Sequence, residues 1–234
     1  IGTYSLNLLV LTIFLVPSVI LFDVSSRAKL ITVFLTVILI ISNLIFGNLV
    51  LNKHNNRSNI PMNFVIKIIS PKIDLKRFFD ETDPSLVIKD LVEIGNIDNK
   101  DAVYIYPEGI LPSINLNEIQ DYSSLFKNYF QNNHKIIFGI TRYKEIEIFN
   151  SMVLLENDLK LISVYDKNKL VPFGEYLPFE NILKNYGFKK ITQGYQSFSS
   201  SSERNLINVD NTKFLPLICY EIIYSGSIFK DSEN

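Results

Sequence analysis

A carboxylate, a pair of lysines and a single thiol stand at points in this chain where side chains can do chemistry. Glu108 follows the apolar run 102–106 and Pro107, in "YPEG", so it projects where a strand ends. A carboxylate at such an end serves as a general base once partial burial raises its proton affinity. Cys219, the one cysteine present, stands at the exit of the apolar run from Phe214, in "LICYE". A thiol becomes a nucleophile when a base or a positive charge favours the thiolate. A sharp turn after a strand also presents backbone N–H groups to an oxyanion. The third stretch is "YDKNKLVPFGEYLPF", residues 165–179. If 165–169 is extended, Tyr165, Lys167 and Lys169 share one face, and alternation does not choose between the two lysines. Glu175, between Gly174 and Tyr176, is available to pair with a lysine in a partly buried site. Taken singly, each residue has a plainer reading: a loop carboxylate, a buried structural cysteine, a solvated strand end.

The elements around these residues alternate. "MNFVIKIIS" after Pro61 reads as a buried strand closed by Pro71. In "DPSLVIKDLVEIGN", Asp83 is the N-cap, Pro84 the first helical residue and Gly95 the exit. Leu86, Ile88, Leu91, Val92 and Ile94 form its apolar side. "DAVYIYPEG" is a short strand, 121–132 a helix, "KIIFGI" a strand. Residues 147–167 read as two strands around a turn at Asn157-Asp158. Serine-rich 196–205 is a loop before "KFLPLICYEIIY", a strand leading into a turn or helix. This alternation defines an α/β or related layered sandwich.

The 234 residues are 47% hydrophobic with a formal net charge of −1, so no basic field recruits nucleic acid. One cysteine excludes an internal disulfide, and His54 and His134 lack metal-ligand spacing, so no metal and no cofactor is implied. Residues 1–22 and 30–52 carry no charged side chain. Each reaches the roughly 20 residues needed to cross a bilayer, which predicts transmembrane helices over about 4–22 and 30–51. The loop between them, with Arg27 and Lys29, is weakly marked as cytoplasmic; Lys53 and Arg57 argue the other way. Residues 53–60 are a polar linker, and 61–234 form the soluble-type domain.

Glu, Lys and Cys in that chain order, each at a strand end, resemble the triad of the nitrilase superfamily of carbon–nitrogen hydrolases. "YDKNKLVPFGEYLP" is further similar to the segment Y-x-K-x-x-L-V-P-F-G-E-Y-x-P of the apolipoprotein N-acyltransferase family. "YPEGILP" resembles its W-P-E-x-x-x-P, and "ICYE" its nucleophile motif. The resemblance implies a nitrilase-like αββα sandwich preceded by transmembrane α-helices. It assigns Glu108 as general base, Lys167 as cationic stabiliser and Cys219 as nucleophile. Glu175 matches a second active-site glutamate, and Tyr220 and Glu221 match the residues after the nucleophile, with the Tyr220 N–H as oxyanion donor.

The implied reaction moves a fatty acyl chain from a membrane phospholipid to the α-amino group of an apolipoprotein's diacylglyceryl-cysteine, through a thioester. The implied location is a multi-pass bacterial inner membrane protein with its catalytic domain on the periplasmic side. Tyr106 stands where the family has Trp, and Gly109-Ile110 where it has Thr-Ala. The family has further membrane helices before this region and a long stretch after the nucleophile, so the chain reads as a fragment lacking the C-terminal part. Two alternatives accompany this reading: a membrane-anchored amidase or nitrilase with the same triad, and a non-catalytic remnant. Aromatic Tyr186, Phe188, Tyr195 and Phe198 further suggest a mobile cover over 186–205 that dips toward lipid.

Overall fold

The apolar runs at 102–105, 134–140 and 149–155 become strands largely buried on both faces, which is why they read as continuous rather than alternating. The computed structural model describes residues 3–55, 62–72, 83–111, 113–187 and 197–224. The chain divides into two compact units, Ile1–Pro61 and Met62–Asn234.

In the first unit, α1 (Thr3–Leu15) runs into a 3-10 turn over Val16–Ile20, and α2 covers Ser26–Asn55. Within α2, Ser26–Lys53 is long and apolar enough to cross a membrane, and none of its most apolar window is buried in the protein. The first run departs from the expected single helix over 4–22. Pro17 has no N–H for the helical ladder, and the α-helix ends just before it. Polar side chains inside these helices turn back onto their own backbone. Thr32 Oγ1 donates to the Ala28 carbonyl and Thr36 Oγ1 to that of Thr32, both at 2.9 Å. A helix in hydrocarbon can carry hydroxyls satisfied in this way.

The second unit is built on a five-stranded sheet ordered β1-β2-β3-β4-β5. The strands are β1 (Val65–Ile68), β2 (Ala102–Ile105), β3 (His134–Lys144), β4 (Glu147–Leu155) and β5 (Leu161–Asp166). β1, β2 and β3 pair in parallel, and β4 and β5 add antiparallel beyond β3. A separate hairpin joins β6 (Ile207–Val209) to β7 (Thr212–Phe214). Alternation splits the strand residues between two cores. Ala102, Tyr104, Ile136, Phe138, Val153 and Leu155 face one core with Val87, Ile88 and Leu91 of α3 (Pro84–Gly95). Val103, Ile137, Leu154 and Tyr165 face the other with Ile207, Val209 and Ile218. Helix, sheet and a second β-layer therefore stack in order, a mixed α/β architecture.

Two helical expectations change in detail. Asp83 caps α3 by accepting the Ser85 N–H at 2.9 Å, and Asn96 at φ 44° closes it. The buried side runs through Val87, Ile88, Leu91 and Gly95, however, leaving Leu86 and Ile94 half exposed. Gly95 belongs to that face because the Tyr106 hydroxyl would stand 2.7 Å from a Cβ there. The helix expected over 121–132 is only α4 (Ser123–Lys127), after a 3-10 turn at Ile119–Tyr122. Phe126 and Phe130 then stack at 5.6 Å while the chain turns to enter β3.

Candidate active site

The sheet brings Glu108, Asn150, Lys167 and Glu175 into one hydrogen-bonded cluster. β2 ends at Ile105, and Tyr106 still donates its N–H to the Ile137 carbonyl at 2.8 Å, which carries the chain over β3. Glu108 then lies against Gly139 of β3, where a Cβ would come within 2.8 Å of the Glu108 Cα. Only a residue without a side chain admits so close an approach. Gly109 follows at φ 72°, a conformation glycine adopts freely and threonine does not, so this turn departs from the Thr-Ala pattern. Tyr106, in the tryptophan position, is buried and donates its hydroxyl to the Leu91 carbonyl at 3.2 Å.

Lys167 is the first residue after β5, and its N–H donates to the Asn150 carbonyl at 2.9 Å. Its side chain is 1% exposed, with Nζ 2.8 Å from Glu175 Oε1. The "LVPFGEYL" stretch delivers that carboxylate by folding back on itself. Phe173 takes φ 62° and donates its N–H to the Tyr176 carbonyl, and Glu175 donates to the Val171 carbonyl, each at 2.8 Å. Glu175 Oε2 accepts the Val171 N–H at 2.9 Å. Asn150, buried in β4, completes the cluster: its Nδ2 donates to Glu108 Oε1 at 2.6 Å and to Glu175 Oε1 at 2.9 Å. One amide thus bridges the two carboxylates, and the ammonium stands on the second of them. Lys169 is exposed and borders an open cavity of about 570 Å³ with Tyr176, Glu180 and Ser197.

Cys219 comes five residues after β7 ends, beyond an extended link whose last residue, Ile218, has φ −101° and ψ 117°. It is exposed, stands at φ 53°, and opens a 3-10 turn over Cys219–Ile223. A cysteine held in the left-handed region stores about 1–3 kcal/mol of strain. Such a turn lifts the thiol out of the chain path and leaves the first N–H groups of the turn, including that of the exposed Tyr220, without intrahelical acceptors. Glu221 fixes the turn from inside. Its side chain is fully buried; Oε2 accepts the Ile218 N–H at 2.9 Å. Its Oε1 accepts the Tyr165 hydroxyl at 2.7 Å and the N–H groups of Asn168 and Lys169 at 3.0 Å each. Burial, reinforced by this bond to Glu221, pushes the Tyr165 hydroxyl well above the usual tyrosine range. Among the described residues, Cys219 is joined to the lysine loop through Glu221 rather than by a side-chain bond of its own.

Asn150 was not among the sequence candidates. Its signal is a polar pair, Asn150-Ser151, interrupting the apolar run "IFNSMVLL" in mid-strand. Of the expected cover over 186–205, residues 188–196, with Phe188 and Tyr195, lie outside the described residues. Residues 197–201 are bound down: Phe198, Ser199 and Ser201 donate their N–H groups to the carbonyls of Glu175, Ile148 and Lys167.

The described residues thus form a layered α/β domain in which this cluster is linked through Glu221 to the turn that carries the thiol. The carbon–nitrogen hydrolase family profile matches residues 112–231, about half of the chain, and the chain belongs to that family. Its relatives narrow the comparison. It is 28% identical over 183 residues to an apolipoprotein N-acyltransferase of Rhizobium leguminosarum bv. trifolii, covering 73% of this chain and 34% of the relative. It is 31% identical over 135 residues to one from Rhodopseudomonas palustris, covering 54% of this chain and 25% of the relative. The chain therefore spans about a third or less of the length of these relatives. Among solved structures it is similar to a carbon–nitrogen hydrolase superfamily protein of Xanthomonas campestris. The identity is 16% and the TM-score 0.38, over 59% of this chain and 49% of that one.

Proposed function

We propose that this chain carries the acyl-transfer centre of a lipoprotein N-acyltransferase, with Glu108, Lys167 and Cys219 as its triad. The observation that supports it best is the connected cluster Glu108–Asn150–Glu175–Lys167, with the strained Cys219 turn stapled beside the lysine loop by Glu221. The α2 segment of membrane length supports lipid substrates over soluble ones, since an acyl donor and an acceptor that stay in the bilayer need an anchored catalyst.

In this reading Glu108 takes the Sγ proton, and the thiolate attacks the ester carbonyl of a phospholipid. The oxyanion is stabilised by the Lys167 ammonium and the Tyr220 N–H. Its collapse expels the lysophospholipid alkoxide, which regains the proton from Glu108 and leaves a thioester on Cys219. The α-amino group of a diacylglyceryl-cysteine attacks that thioester, gives its proton to Glu108 and departs as the amide, while Cys219 is released. Glu175 holds Lys167 in place, and Asn150 holds Glu175 and Glu108 in register. The unit 62–234 is proposed as the catalytic domain, facing the periplasm, with the first unit in the inner membrane.

Incubation of the chain with vesicles of acyl-labelled phospholipid tests this. The expected result is a hydroxylamine-labile label on Cys219 that Cys219→Ser abolishes. No label on a chain whose Cys219 still reacts with alkylating reagents refutes the acyl-transfer reading. Hydrolysis of soluble amides without lipid would replace it with an amidase.

A further inference from the structure

Residues 197–206 have no regular secondary structure, yet they are laced to the site along their length. Phe198 donates its N–H to the Glu175 carbonyl at 2.8 Å, Ser199 to that of Ile148 at 2.7 Å, and Ser201 to that of Lys167 at 3.0 Å. Asn168 Nδ2 returns a bond to the Ser201 carbonyl at 2.6 Å. This strap then buries Arg204, whose side chain is 0% exposed. Its Nη2 stands 3.8 Å from Glu221 Oε1, on a side chain that is also 0% exposed.

Glu221 is the residue that ties the nucleophile turn to the lysine loop, and all four of its recorded hydrogen bonds are accepted. They come from the Tyr165 hydroxyl and from the N–H groups of Asn168, Lys169 and Ile218. The four donors converge on a side chain that is fully buried. Burying a carboxyl group among neutral donors without a counter-charge is costly. The titratable or charged side chains recorded against Glu221 among the described residues are Tyr165 from β5 and Arg204 from the strap. Tyr165 is a neutral donor; a guanidinium stays charged at every relevant pH.

We propose that Arg204 is a positioning residue: its buried guanidinium is the counter-charge of Glu221, and through Glu221 it holds the Cys219 turn against the lysine loop. This rests on the triad proposed above. The strap is then a structural part of the site rather than a connection between the lysine loop and β6.

Cys219 is the only cysteine, so its alkylation by iodoacetamide in the detergent-solubilised whole chain reports on that one site. The rate is followed from about pH 6 to 9 for the native chain, Arg204→Met, Arg204→Lys, Glu221→Gln and Arg204→Met combined with Glu221→Gln. Arg204→Met is expected to slow alkylation about tenfold near neutral pH, because Glu221 loses its counter-charge and the turn its anchor. Arg204→Lys restores most of the rate. In the Glu221→Gln background, Arg204→Met changes it by less than about twofold. An Arg204→Met profile that matches the native one overturns the proposal. So does a deficit that lysine does not relieve, or one that persists in full in the Glu221→Gln background, which is what lost packing alone would produce.

If Arg204→Met does not fold, thermal unfolding decides. The double variant is expected to recover a folded state because it no longer buries an unpaired carboxyl, and a double variant that is equally unfolded overturns the idea. Failure of the triad itself looks different: native Cys219 would then alkylate with the rate and pH dependence of the urea-unfolded chain.

Discussion

Lys167 and Lys169 are two residues apart on one strand end, and their surroundings could hardly differ more. The first is buried on Glu175 at 2.8 Å; the second is exposed at the rim of a cavity. Lys167→Ala is expected to lower the rate of Cys219 acylation about a hundredfold or more, the scale of losing an oxyanion donor. Lys169→Ala should change it less than about twofold; equal losses from the two variants would contradict the assignment. Asn150→Ala removes the amide shared by Glu108 and Glu175, and acylation should fall about tenfold with little change in melting temperature. His134 makes a prediction about stability instead. It is fully buried, its Nδ1 accepts the Gln131 N–H at 3.0 Å, and Nε2 faces the Lys100 carbonyl at 3.1 Å. This is a neutral ring, and burial lowers its pKa below the ordinary histidine value. The unfolded chain therefore takes up the proton first, so stability is full above about pH 6.5 and declines as the pH falls below it. Comparison of melting temperatures above and below that pH, with His134→Gln as reference, should show a steeper decline in the native chain.

Among the elements, β3 and the Cys219 turn carry local demands that their sequences only partly announce. Gly139 leaves 2.8 Å between its would-be Cβ and the Glu108 backbone. Gly139→Ala should displace Glu108, cost about 1–3 kcal/mol in thermal or denaturant unfolding, and slow acylation more than its stability loss explains. At Cys219, the φ of 53° disfavours any residue with a Cβ. Cys219→Gly should therefore be about 1 kcal/mol more stable than Cys219→Ala; equal melting temperatures would remove the strain from the account. The start of α3 was readable because Asp83 and Pro84 act on neighbouring backbone, whereas at its end Gly95 is the last helical residue and Asn96 takes the left-handed cap. Its buried side was not fully readable, because the small Gly95 faces Tyr106 while Leu86 and Ile94 turn outward.

At the scale of the whole molecule, two units of opposite solvent preference share one chain. The first exposes Leu30, Phe34 and Phe46 along α2, whereas the second hides comparable side chains in two cores on either face of its sheet. A chain beginning at residue 62 is expected to retain alkylation of Cys219 but to lose flotation with phospholipid vesicles; vesicle binding that persists without the first unit would place the membrane contact elsewhere.

The sequence by itself determined the strand-and-helix alternation, the apolar length of α2, and the types and order of Glu108, Lys167, Glu175 and Cys219. These follow from local propensity, from periodicity and from resemblance between short segments. Alternation left the two lysines open and the family segment selected Lys167; only the tertiary structure decided that Asn150 bridges two carboxylates, that Gly139 makes room for Glu108, and that Arg204 stands against Glu221. The physical reason is sequence separation. Asn150 meets Glu108 across 42 positions, and Glu221 meets Tyr165 across 56. No periodic pattern encodes the pairing of strands that brings such residues together. The thiol in "LICYE" was legible as a candidate nucleophile, but the left-handed turn that presents it, and the buried carboxylate that holds the turn, exist only in the tertiary structure.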